Sequence, residues 1–164
     1  MFDNKAIMMS SDSKADLMKS LGEAMRAHHD STDLFDEAAA AKLGINRTDL
    51  RCLSVIEQHG PVSVGDIGKA VGLTRGATTT ALDRVERAGY ARRVRHPSDR
   101  RGVLLEITPK AHDEAGAIWS PMVEESYVLM DAYSEADLGV ILKFIELSTA
   151  LQLRHLAVAL GDPD

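Results

Sequence analysis

The strongest constraint on this chain is a rhythm of stops. Gly44, Gly60-Pro61, Gly72 and Gly89 each follow a stretch of helical periodicity. Glycine ends a helix readily because it enters the left-handed region without a Cβ clash. A capping residue opens each stretch that follows: Asn46 with Asp49 three residues on, Ser63 with Asp66, and Thr74. A short polar side chain there accepts a hydrogen bond from an otherwise orphaned first-turn N–H. The spacing predicts a helix over Arg47–His59 with Leu50, Leu53, Val55 and Ile56 on its apolar side. It predicts a short helix carrying Ile67, Ala70 and Val71, then a third over about 75–88. After Gly89 the period falls from that of a helix to that of a strand. Ala91–His96 and Gly102–Thr108 alternate around Pro97-Ser98-Asp99-Arg100-Arg101, the pattern of a hairpin with a loop longer than two residues.

Longer helices flank this core. Leu17, Leu21, Ala24, Met25 and His28 recur at helical spacing, and the pattern runs on, with a break expected, through Leu34, Phe35 and Ala38 to Ala41. Thr108-Pro109 opens another helix, with proline at the first position where its missing N–H is harmless. Pro121 is expected to kink it. Ser134 with Asp137 caps the last helix, whose Leu138, Ile141, Leu142, Ile145, Leu147, Leu151, Leu153, Leu156 and Leu160 cover more than one face. So broad an apolar surface suits burial against a second subunit better than the outside of a monomer. The expected architecture is mainly α with a small β-hairpin, one domain over 13–160. Its lobe spans 46–108, dimerisation helices span 13–43 and 109–160, and residues 1–12 form a flexible tail.

The formal net charge of −6 seems to exclude nucleic acid, but its distribution does not. Between Thr74 and Arg101 eight arginines face three acids, a local excess of five positive charges that leaves −11 for the rest. A phosphate backbone responds to the local field rather than to the total. The single Cys52 has no internal partner, lies beside Leu53 and Ile56, and reads as a small buried hydrophobe. A reducing, cytoplasmic setting is the expectation. No apolar run approaches the ~18 residues of a membrane span, and Met1–Lys5 lacks the basic-then-apolar pattern of an export signal. His28 and His29 are adjacent and cannot aim at one metal from a helix, so no metal and no cofactor is expected. No phosphate loop, zinc-protease motif or nucleophile elbow occurs, so no enzyme is expected.

The order short helix, tight Val71-Gly72-Leu73 turn, capped helix is that of a helix-turn-helix. On the second helix a 100° step places Ala77, Thr78, Ala81, Val85 and Ala88 inside. Arg75, Gly76, Thr79, Thr80, Asp83, Glu86 and Arg87 fall outside. Small polar side chains with one arginine suit close approach to base edges in a major groove. Gly76 lacks a side chain where a groove floor would approach. Arg92, Arg93 and Arg95 line the first strand of the hairpin. Arg100 and Arg101 at its tip suit a narrow minor groove, with Asp99 holding the loop and an arginine in place.

These residues carry a resemblance. Leu73-Thr74-Arg75 and Asp83-Arg84-Val85-Glu86-Arg87-Ala88-Gly89-Tyr90 resemble the recognition helix of MarR-family regulators. Asp99-Arg100-Arg101-Gly102-Val103-Leu104-Leu105-Glu106-Ile107-Thr108 resembles that family's wing, with Asp99 and Arg101 in its Asp-x-Arg signature. The likeness is detailed from about Leu43 to Ala115 and one of layout outside. It implies a homodimer with interlocked terminal helices, a palindromic DNA operator, and one recognition helix and wing per half-site. It also implies repression relieved by a small aromatic or phenolic effector bound between the dimerisation helices and the DNA-binding lobe. Thr80 departs from the pattern, since many relatives carry a basic residue there. The candidate DNA contacts are Ser63, Arg75, Gly76, Thr78, Thr79, Thr80, Arg84, Arg87, Arg93, Arg95, Asp99, Arg100 and Arg101. Candidate effector contacts are Leu21, Met25, Phe35 and Trp119, each of which also suits ordinary core. The second reading is a winged-helix module that binds an acidic protein partner without operator specificity.

Overall fold

A computed structural model describes residues 13–98 and 102–161. The expected tail, 1–12, and the wing tip with Asp99, Arg100 and Arg101 lie outside the described residues. The element order is α1 (Lys14–Lys42), α2 (Arg47–His59), β1 (Val62–Ser63), α3 (Val64–Val71), α4 (Arg75–Arg87), β2 (Ala91–Arg95), β3 (Val103–Ile107), α5 (Pro109–Met130) and α6 (Glu135–Leu160). The break expected in the first helix is absent: α1 is continuous over 29 residues. Its second half is tied to α2, where the Arg47 guanidinium donates to the backbone carbonyl and the carboxylate of Asp33.

The sheet has three strands in the order β1-β3-β2, all antiparallel. The hairpin was legible from alternation. β1 was not, because two residues are too few to show a period. Val62 and Ser63 pair with Leu105 and Leu104, tying the start of α3 to the wing.

The molecule divides into two compact units with the boundary after Ala115. The first holds α1 to β3 and the start of α5. Its core is formed by Ile56, Ile67, Leu82, Val85 and Leu105, none more than 0% exposed, together with Cys52. Burying each large aliphatic chain is worth roughly 1.5–3 kcal/mol. Burial also pushes the Cys52 thiol above its ordinary range, which keeps it protonated.

Tyr90 closes the base of this unit. Its ring is buried, and its hydroxyl lies 2.9 Å from the Leu43 carbonyl and 2.8 Å from a Glu114 carboxylate oxygen. Lys110 sits over the ring and donates to the Ala88 carbonyl at the end of α4. Thr108 donates to the Gly89 carbonyl. Burial and the neighbouring Glu114 carboxylate push the Tyr90 phenol up to about 12.

The second unit holds the rest of α5 and α6. Ser134 and Asp137 form the expected reciprocal cap. None of the described side chains of α6 is buried. Val140, Leu142, Leu147 and Leu153 are each more than half exposed. Among the described residues no helix is long and apolar enough to cross a membrane.

Candidate nucleic-acid interface

The interface is built where α3 meets α4. The Ser63 hydroxyl accepts from the Asp66 backbone N–H and donates to its carboxylate, starting α3. Gly72 ends it in the left-handed region at φ 72°. Thr74 then caps α4 with its hydroxyl on the Ala77 N–H. The two helices cross at Gly68, where a Cβ would lie 2.7 Å from the Thr78 hydroxyl. Only a residue without a side chain allows that approach. The groove between them has a volume of about 480 Å³ and is lined in part by Lys69, Arg75 and Thr79.

The buried side of α4 is Thr78, Ala81, Leu82 and Val85. One assignment from helical phase and one candidate DNA contact need correction. Ala77, expected inside, is exposed, and Leu82 takes the buried position instead. Thr78, a candidate DNA contact, is 0% exposed, and its hydroxyl donates to the Thr74 carbonyl. It packs against Gly68 and offers nothing to a groove.

Arg75, Gly76, Thr79 and Thr80 form the exposed first half of α4. The Thr79 and Thr80 hydroxyls donate to the Arg75 and Gly76 carbonyls. Their protons are thus spent on the helix, leaving lone pairs and methyl groups to face outward. A Cβ at Gly76 would meet no atom within 4 Å. The fold itself therefore gives no steric reason for glycine at this position.

The arginines separate into engaged and open groups. Arg84 is engaged: its Nε and Nη2 donate to the two carboxylate oxygens of Asp49, at 2.9 and 2.6 Å. That is a commitment inside the protein which the charge count could not show. Arg93 bridges from β2 to α4, 2.7 Å from Asp83 and 3.5 Å from Glu86. Arg92 pairs with Glu106 directly across β2 and β3. Arg75, Arg87 and Arg95 have no acidic partner among the described residues, so their charge is available to an external anion. His96 donates its backbone N–H to Gly102, the last described rung below the wing tip.

Sequence reasoning does not reach the Asp49–Arg84 pair, because spacing makes Asp49 the second half of a capping box with Asn46. The Asn46 side chain does accept from the Asp49 N–H, but the Asp49 carboxylate turns inward. A usable signal existed: Asp49 heads the row 49, 52, 53, 56 that carries Cys52, Leu53 and Ile56, and a carboxylate on a buried row needs a cation. Of the candidate effector contacts, Leu21 and Met25 are exposed on α1, Phe35 is half-buried there, and Trp119 is half-buried in the second unit. Among the described residues no group of three His, Cys, Asp or Glu could hold a metal ion.

Residues 45–103 match the model of the MarR family. The chain is 33% identical over 138 residues to the HTH-type transcriptional regulator YcgE of Bacillus subtilis, covering 84% of this chain and 90% of that one. It is 33% identical over 115 residues to a second Bacillus subtilis regulator of that type, YwhA, covering 70% of this chain and 79% of the relative. A solved MarR family protein from Bacillus stearothermophilus superposes with a TM-score of 0.65 at 15% identity, over 87% of this chain and 100% of its own. At that identity the likeness concerns the fold.

Proposed function

The chain belongs to the MarR family of transcription regulators, and we propose that it binds a two-fold-symmetric DNA operator as a homodimer. Its family is one of DNA-binding regulators rather than enzymes. In this reading α4 enters the major groove and the wing follows the backbone into the adjacent minor groove. The observation that carries it is the exposed first half of α4. There Arg75 and two threonines flank a glycine whose missing side chain nothing in the fold requires.

Each residue has a role. Arg75 is placed for a guanine edge or a phosphate. Thr79 and Thr80 present methyl groups to thymine and lone pairs to the amino groups of adenine or cytosine. Arg87 and Arg95 neutralise phosphates on either side of the groove. Arg93 holds the wing strand against α4. Ser63 and Arg84 act through structure, as the cap of α3 and the partner of Asp49. Arg100 and Arg101 are proposed as minor-groove contacts, with Asp99 as their partner. The apolar surface of α6 mates with a second copy, setting two recognition helices about one DNA turn, ~34 Å, apart. A small effector that favours a dimer with another spacing would release the DNA.

Selection of duplexes from a random DNA pool at near-physiological salt tests this reading. Enrichment of an inverted repeat with half-sites about one turn apart is expected. Weak, salt-sensitive binding with no enriched sequence would overturn it and favour an acidic protein partner instead.

A further inference from the structure

The recognition helix is gripped from the wing strand by Arg93 and is held to the rest of the lobe in two unlike ways. Along most of its length the hold is apolar: Ala81, Leu82 and Val85 are buried with no exposed surface. Apolar contact is strong but non-directional, so it resists separation better than rotation or sliding. Among the described residues, the directional contact that α2 makes with this helix is the side-on pair of Arg84 with Asp49. A guanidinium meeting a carboxylate through two parallel N–H···O bonds fixes orientation as well as distance. Asp49 is 1% exposed, whereas the Arg84 side chain is 39% exposed. Beside the pair lies a cavity of about 370 Å³, lined in part by Asn46, Asp49, Arg84 and Arg87. Arg84 therefore has room to swing away, and the neighbouring Arg87 repels it. Asp49 is what keeps it in place.

We propose that Asp49 is a positioning residue for DNA recognition. Through Arg84 it sets the rotation of α4, although it cannot reach DNA itself. The inference rests on α4 being the recognition helix. It assigns a specificity role to a residue on α2 that lies away from the exposed face of α4. It also changes the part played by Arg84, from a candidate DNA contact to the arm by which α2 holds α4.

The sign of the effect separates positioning from simple electrostatics. Asp49→Asn removes a negative charge near a polyanion. Acting through charge alone, it strengthens binding to every duplex. Acting through position, it weakens binding to the selected duplex and leaves a random duplex of equal length unchanged. Arg84→Lys keeps the charge and loses the two-pronged geometry. A phosphate-contact role would survive that change, whereas a positioning role would not.

The test measures affinity of wild type, Asp49→Asn and Arg84→Lys for a duplex enriched from the random pool and for a random duplex. It runs well below the unfolding midpoint of each, with folding checked by circular dichroism. Both variants are expected to lose about ten-fold or more on the enriched duplex, some 1.4 kcal/mol, with the random duplex barely changed. In free protein, amide exchange is expected to quicken over residues 82–87 of α4 but not over α3. An Asp49→Asn protein that binds the enriched duplex as well as wild type, or loses both duplexes equally, overturns the proposal. So does unchanged exchange in α4. If wild type enriches no duplex, it is the DNA-binding reading that fails, and the exchange experiment still decides whether Asp49 holds α4.

Discussion

At the scale of single residues, the interface is set by two glycines with opposite reasons. Gly68 has no side chain because Thr78 occupies the space, so its reason lies inside the fold. Gly76 faces open space, and in the proposed reading its reason is the approach of DNA. This separation makes a prediction. Gly76→Ala is expected to stabilise the free protein by up to about 1 kcal/mol, the helix-propensity difference, while weakening binding to the enriched duplex. Thermal unfolding and DNA titration of one sample measure both. A stabilised variant with unchanged affinity would remove Gly76 from the interface.

Tyr90 supplies the second prediction at this scale. Its phenol is raised from its ordinary 10.0 to about 12 in the folded state, chiefly by burial. The folded protein therefore favours the protonated form. That contribution is complete below pH ~10 and is lost as pH rises towards ~12, amounting at most to roughly 2–3 kcal/mol. Alkaline unfolding followed by tyrosine absorbance is expected to show it. Tyr90→Phe, which also strands the Leu43 carbonyl, is expected to lower stability at neutral pH and flatten the alkaline transition.

At the scale of elements, the wing strand and the recognition helix act as one piece. Arg93 grips Asp83 and Glu86 on α4, whereas Arg95, two residues on and on the same side of β2, has no acidic partner among the described residues. Their replacement should therefore read out differently. Arg95→Ala is expected to weaken enriched and random duplexes alike and to lower the salt slope by about one. Arg93→Ala is expected to act mainly on the enriched duplex, because it unties the wing from α4 and exposes two acids to the DNA. Salt titrations of both variants decide. Equal slopes and equal losses would mean that Arg93 works as a plain phosphate contact.

At the scale of the whole molecule, the decisive feature is the apolar surface of α6, which a single chain leaves in water. Leu142 and Leu153 are 58% and 61% exposed. Replacing both with glutamate removes little packing within one chain. If the proposed homodimer forms through this surface, the change abolishes it in sedimentation experiments and, with it, the expected preference for an inverted repeat. A variant that remains dimeric would place the self-association surface elsewhere.

Much of this protein was decided by short-range sequence. Asn46, Ser63, Thr74 and Ser134 open helices, and Gly60 and Gly72 close them, because capping is chemistry between residues a few positions apart. The alternation after Gly89 likewise made the hairpin legible, since strand period is local. Three things were decided by tertiary structure alone. β1 exists only because β3 offers it a partner. Thr78, already inside by helical phase, meets Gly68 ten residues away so closely that only a glycine fits there. Arg84 and Arg93 passed from the open charges to the engaged ones because Asp49, Asp83 and Glu86 came within hydrogen-bonding reach. A charge count records which ions a chain has; only the fold determines which of them already have partners, because Coulomb attraction depends on distance and sequence separation does not set it.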